Sequence, residues 1–136
     1  MHEAAVIVLT TTSNPDDAAR IARELVDRRL AACVNVAENV RSFYRWEGKI
    51  AEESEQLLVI KTTRERVDEL REHLISIHPY DVPEFVVIPI AEMSAAYGEW
   101  LFSSTATEGK PSCDSGTRRS RARARRSSGV AAASST

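Results

Sequence analysis

Within seven residues, His78-Pro79-Tyr80-x-x-Pro83-Glu84, the chain gathers an imidazole, a phenol and a carboxylate. Such groups accept, donate and exchange protons, the capacity that both ligand recognition and acid–base chemistry require. Lys61 lies on a segment that a β-sheet would carry toward this loop, so Lys61, Tyr80 and Glu84 are expected to line a ligand cleft. A plainer role stays open beside it. Tyr80, Pro83 and Glu84 also suit a rigid loop, and His78 before Pro79 suits a helix C-terminus, where the dipole favours positive charge.

Metal chemistry has less to work with. Copper prefers thiolate and imidazole, and a site needs several ligands converging within about 2–2.3 Å. Residues 1–102 offer Cys33, His73 and His78, with Met93 and His2 as weaker or more remote donors. His78 and Cys33 are the candidate metal ligands, although a small thiol between Ala32 and Val34 is equally ordinary packing. Cys33 and Cys113 are the only cysteines, so neither a disulfide framework nor a CxxC zinc module is available, and a reducing, cytoplasmic setting is expected.

Several enzyme classes fail on residue grounds. Residues 1–102 contain only Gly48 and Gly98, which leaves no P-loop and no dinucleotide-binding turn. No GxSxG, HExxH or DxDxDG pattern occurs. Thr10-Thr11-Thr12-Ser13-Asn14 could offer hydroxyls and amides to an anion at a helix N-terminus, but without the arginine an acyl-phosphate hydrolase would want. Those enzyme classes are set aside.

The elements that must position these groups are legible from period and punctuation. Residues 4–10 form a short β-branched run of the kind a central strand shows. Ser13 or Asn14 offers an N-cap, Pro15 suits the first helical position, and Asp16 and Asp17 favour the dipole. The helix, to about Arg29, carries its stripe at Ala18, Ile21, Ala22, Leu25 and Val26. From Ala32 the period is two: Val34, Val36, Val40, Tyr44 and Trp46 share a parity, predicting a strand with one dry face and an interruption near Ala37-Glu38-Asn39. Glu47-Gly48 supplies a turn, and a second long strand runs to Thr62. Thr62 and Glu65 stand in capping-box relation ahead of a helix with Val67, Leu70, Leu74 and Ile77, ended by His78-Pro79. Phe85–Ile90 is a fourth strand, its Pro89 pointing to an edge, and Ser94 caps a short helix with Tyr97, Trp100 and Leu101.

The order is βαββαβ plus a helix, which predicts an α+β, ferredoxin-like sandwich with two helices on one face of a four-stranded antiparallel sheet. Its middle strands, near 45 Å at about 3.3 Å per residue, outrun their neighbours. The overhang carries Phe43, Tyr44 and Trp46, and an exposed aromatic edge calls for partner copies in closed symmetry. These three residues are therefore expected at an oligomer interface, which also places the expected cleft between subunits. Residues 103–136 differ in kind, with seven basic residues against two acidic, net +5, while residues 1–102 carry −7. This Ser-, Ala- and Arg-rich segment is expected to be a disordered tail. The acidic body argues against a dedicated nucleic-acid binder, and no run is long enough to span a membrane.

Leu9-Thr10-Thr11, Leu30-Ala31-Ala32-Cys33-Val34-Asn35, Ser42-x-Tyr44-x-Trp46-Glu47-Gly48-Lys49, Ile60-Lys61-Thr62-Thr63, His78-Pro79-Tyr80-x-x-Pro83-Glu84 and Tyr97-x-x-Trp100-Leu101 occur in this order. Over residues 4–102 the chain thus resembles the CutA family of divalent-cation tolerance proteins. The resemblance implies a ferredoxin-like fold, a homotrimer joined through long hairpins, tolerance of copper or another divalent cation, and no established enzymatic activity. It also implies a copper site in some members, made of a cysteine ending the first strand and two histidines before Pro-Tyr. Here Thr10 and Ile77 hold two of those positions and only His78 remains. Two other readings stand beside it: a signalling scaffold similar to the PII-type trimers, sensing a small effector, and a small acyl-phosphate hydrolase using Glu84 and His78.

Overall fold

The computed structural model describes residues 4–107. Strand β1 (Ala5–Thr12) leads into helix α1 (Pro15–Asp27), then the long strands β2 (Cys33–Trp46) and β3 (Lys49–Thr63). A single 3-10 turn (Arg64–Arg66) precedes α2 (Val67–Ile77), followed by β4 (Val86–Pro89) and α3 (Ala95–Ser104). The sheet runs β2-β3-β1-β4 with every pairing antiparallel, so the α+β, ferredoxin-like order expected from the sequence is the one found. No helix among the described residues is long and apolar enough to cross a membrane.

Local chemistry explains most boundaries. Asn14 caps α1 by accepting the Asp17 amide at 2.8 Å, with Pro15 in the first turn. Glu47 and Gly48 both take positive φ, 52° and 80°, the pair a two-residue hairpin turn demands. The expected capping box at Thr62 and Glu65 does not form. Thr62 is fully buried in β3 and its hydroxyl donates to the Leu30 carbonyl at 2.7 Å, fastening the strand to the connection between α1 and β2. Ser94 does cap α3, accepting from the Tyr97 amide at 3.3 Å. That helix passes the boundary expected at residue 102: Ser103 and Ser104 are helical, and the Thr105 hydroxyl is buried on the Leu101 carbonyl. Residues 108–136, the rest of the expected tail, lie outside the described residues.

Alternation along the strands makes two unlike faces. Val6, Val8, Leu58 and Ile60 are fully buried against Ile21 and Leu25 of α1 and Leu70 and Leu74 of α2. Their neighbours Ile7, Leu9, Leu57, Val59, Val86 and Ile88 point the other way. Only one end of that second face has a cover, where Leu101 of α3 packs on Ala5 and Ala32. Val86 and Ile88 remain 43% and 40% exposed, an apolar surface unusual for a chain that works alone.

The dry face expected along the whole of β2 is corrected by a bulge. Val36 pairs with Leu58 but Val40 with Glu55, so an extra residue enters β2 between Ala37 and Val40. With a side-chain period of two, one added residue turns everything beyond it to the opposite face. Asn39 absorbs the irregularity at φ 61°, its amide held by Gln56 Oε1 at 3.2 Å. Beyond the bulge, Val40–Trp46 and Lys49–Glu55 pair only with each other, since β1 reaches no farther than Gln56. The free ribbon, about 20 Å long at ~3.3 Å per residue, carries Phe43, Trp46 and Ile50, each more than half exposed.

Candidate functional site

A cleft of about 720 Å³ opens where this ribbon leaves the sheet, walled on one side by Phe43, Tyr44, Trp46 and Glu53 and on the other by the loop Tyr80–Glu84. Pro79 and Pro83 restrain that loop, and His78 fixes its start. The imidazole Nε2 donates to the Thr11 carbonyl at 2.8 Å, while Nδ1 accepts the Tyr80 amide at 3.1 Å. A carbonyl cannot donate and an amide N–H cannot accept, so these bonds define a neutral ring protonated on Nε2. Burial accordingly holds the His78 pKa below the ordinary histidine value. The ring packs against that of Tyr80, centroids 4.9 Å apart and planes tilted by 60°, and the Tyr80 hydroxyl donates to Glu55 Oε2 at 2.7 Å. Burial and that carboxylate together push the phenol pKa up, so Tyr80 stays a donor at neutral pH.

Glu55 is the most consequential group in the cleft. It is 6% exposed, yet no cation pairs with it among the described residues, and its one hydrogen bond comes from the neutral Tyr80. Glu53, Asp81 and Glu84 add three more carboxylates to the lining, and no lysine, arginine or histidine faces them there. Burial, followed by the neighbouring Glu53, raises the Tyr44 pKa in the same negative field.

Tyr80 and Glu84, two of the expected cleft residues, thus meet in one cavity. Lys61 does not join them. It pairs with Cys33 and Ile7, six residues along β3 from Glu55, or about 20 Å, and donates to Asn35 Oδ1 at 2.7 Å. Phe43, Tyr44 and Trp46, expected only at an interface, line the cavity as well. Glu53 and Glu55 went unread because the polar start of β3 looks like a solvated edge. The available signal was their period-two spacing just before the apolar run Leu57–Ile60.

The candidate metal ligands are kept apart. Cys33 shares a rung with Lys61 and Ile7, whereas His78 meets Thr10 and Thr11, about 13 Å along β1. Both nitrogens of His78 are engaged, and burial raises the Cys33 thiol pKa despite Lys61 opposite. His73 is bonded to Glu24 of α1 at 3.0 Å. Among the described residues no three His, Cys, Asp or Glu side chains converge as a metal site would need. The described residues of one chain do not fit a chelated copper ion.

Comparison with known proteins fixes the kinship. Residues 6–104 match the family model described as CutA1 divalent ion tolerance protein. The chain belongs to the CutA1 family. It is 44% identical over 99 residues to the divalent-cation tolerance protein CutA of Thermus thermophilus, covering 73% of this chain and 96% of that one. It is 42% identical over 101 residues to the chloroplastic protein CutA of Arabidopsis thaliana, covering 74% of this chain but only 56% of that longer one. Among solved CutA1 structures, that of Thermus thermophilus superposes with a TM-score of 0.73 at 43% identity, covering 75% and 99% of the two chains. That of Oryza sativa does so with 0.75 at 39%, covering 77% and 96%.

Proposed function

We propose that this CutA1 chain is a non-enzymatic homotrimer that takes part in divalent-cation tolerance, copper included, by binding ions or small ligands in clefts at its subunit boundaries. The observation that carries the reading is the cleft itself: four carboxylates, one of them deeply buried, around a cavity of about 720 Å³ at the root of an unsupported ribbon. A lone two-stranded ribbon is marginal in water, and the apolar second face of the sheet needs cover. Neighbouring copies laid ribbon against sheet in a closed ring satisfy both needs. The cytoplasm is the proposed setting, in keeping with a free Cys33.

A hydrolase built on Glu84 and His78 draws no support from the geometry, because the imidazole has no free nitrogen to act as base. The test combines mass and ligand. Sedimentation of the 15.1 kDa chain at micromolar concentration is expected to give one species of three chain masses. Titration of that species with Cu(II) or Zn(II) is expected to saturate, and to weaken in Glu55→Gln. A monodisperse single chain would overturn the assembly and the subunit boundaries with it.

A further inference from the structure

We infer that the cleft selects an organic cation, an ammonium or guanidinium group carried on a flat or apolar body, in preference to a bare metal ion. The inference deepens the reading of this cleft as a ligand site and rests on it.

Three observations converge. The first is Glu55, a carboxylate 94% removed from solvent that has one neutral donor and no counter-cation among the described residues. Buried carboxylates are ordinarily paired, because desolvation without a partner is costly. The missing partner is therefore positive.

The second is the spread of the other carboxylates. Glu53 lies on the ribbon while Asp81 and Glu84 lie on the facing loop, and among the described residues no three acidic or imidazole groups close on one point. A bare divalent ion needs six or more oxygens, or a tight set of nitrogen and sulfur ligands, within about 2–2.6 Å. A larger cation, with its charge distributed over several N–H donors, suits carboxylates set around a wide cavity.

The third is the apolar lining. Tyr44 and Trp46, on the same face of the ribbon as Glu53 and Glu55, stand beside the carboxylates, with Val82 and Pro83 opposite. Aromatic faces attract cations, Trp most strongly, and they also bury a hydrocarbon body. Arg41 already illustrates the preference on the outside of the ribbon, its guanidinium 5.3 Å from the Phe43 ring centroid. A hydrated metal ion gains nothing from such walls, whereas an amine on a flat ring uses both halves of the site.

The test titrates the full chain with benzylammonium, its uncharged isostere benzyl alcohol, and Zn(II), following Trp fluorescence and heat. Trp46 lines the cleft while Trp100 lies on α3, so a Trp100→Phe background assigns the signal. Benzylammonium is expected to saturate and benzyl alcohol to bind at least about tenfold more weakly, the scale of one charge-assisted contact. Glu55→Gln keeps an acceptor for Tyr80 and should lower benzylammonium affinity about tenfold or more; Glu53→Gln, on the exposed rim, should lower it less. Circular dichroism checks that both variants fold. Saturation by Zn(II), weakened in Glu55→Gln, with no saturation by benzylammonium would overturn the inference and leave the ion-binding reading standing. Absence of binding by either cation would overturn both. Equal binding of benzylammonium and benzyl alcohol would show that the cleft reads shape alone, and would also overturn the inference.

Discussion

His78 shows how one side chain can be spent entirely on architecture. Its ring bridges β1 to the start of the cleft loop through two bonds that together require the neutral form. The groups around it pull both ways: Asp17 of α1, Glu55 of β3 and the Thr11 carbonyl favour a proton, while burial and Arg20 of α1 oppose one, and burial is the largest influence. With its folded pKa depressed, His78 contributes stability that is fully present above its unfolded value of about 6.5. That stability is lost as pH falls toward the folded pKa, because the unfolded chain takes up the proton first. Melting temperature should therefore fall as pH drops from about 7 through the unfolded value near 6.5, and the fall should be shallower in His78→Gln. Thermal melts of both proteins across that window check it, since the other titrating groups are common to the two. An equal slope in both would remove His78 as the cause. The cluster around His78 was visible in the sequence because its members are neighbours in the chain. Glu55 was not, because only strand register brings it to Tyr80.

Among the elements, helices were the most legible, since caps and stripes are local signals: Asn14, Ser94 and the apolar spacing of α1 all act where they stand. The strands were legible in extent but not in facing. Parity in β2 predicts a single dry side, and the one added residue between Ala37 and Val40 divides it in two. The energetic weight of that irregularity sits on Asn39 and its positive φ. A β-branched residue there meets a steric penalty of about 1–2 kcal/mol, so Asn39→Val should lower unfolding free energy by roughly that amount. Asn39→Gly tolerates the dihedral and should change it by less than about 1 kcal/mol. Denaturant melts of the pair test the point, and equal losses would mean that side-chain contacts, not backbone geometry, hold the bulge. Thr62 teaches a related lesson about motifs. A residue with the right neighbours for a cap was claimed instead by a buried carbonyl across the fold.

For the whole molecule, the decisive quantity is apolar surface left uncovered by a single chain. Length and aromatic content of the hairpin already implied it in the sequence, since strand overhang follows from counting residues. The open second face did not show itself there, because continuous apolar runs such as Leu57–Ile60 look the same whether one side or both are buried. Trp46 is 56% exposed in the chain, so Trp46→Ala should scarcely disturb an isolated subunit. In the proposed trimer, truncating a buried Trp commonly costs about 3–5 kcal/mol, felt as weaker association. Melting of the variant should become dependent on protein concentration, with sedimentation showing lighter species on dilution. A variant that keeps its mass at every concentration would place Trp46 outside any subunit contact.

The bulge in β2 has one more consequence, and it is geometric. Because facing beyond it depends on a single added residue, Asn39 and its neighbours act as a swivel between a strand base committed to the hydrophobic interior and an arm that reaches outward. Pairing the same residues without the bulge would slide the arm one place along β3, bringing Phe43 opposite Ala51 and Arg45 opposite Lys49, where Tyr44 and Trp46 now look. What this molecule offers to its surroundings is therefore encoded as much in where the pairing skips a residue as in which residues compose the arm.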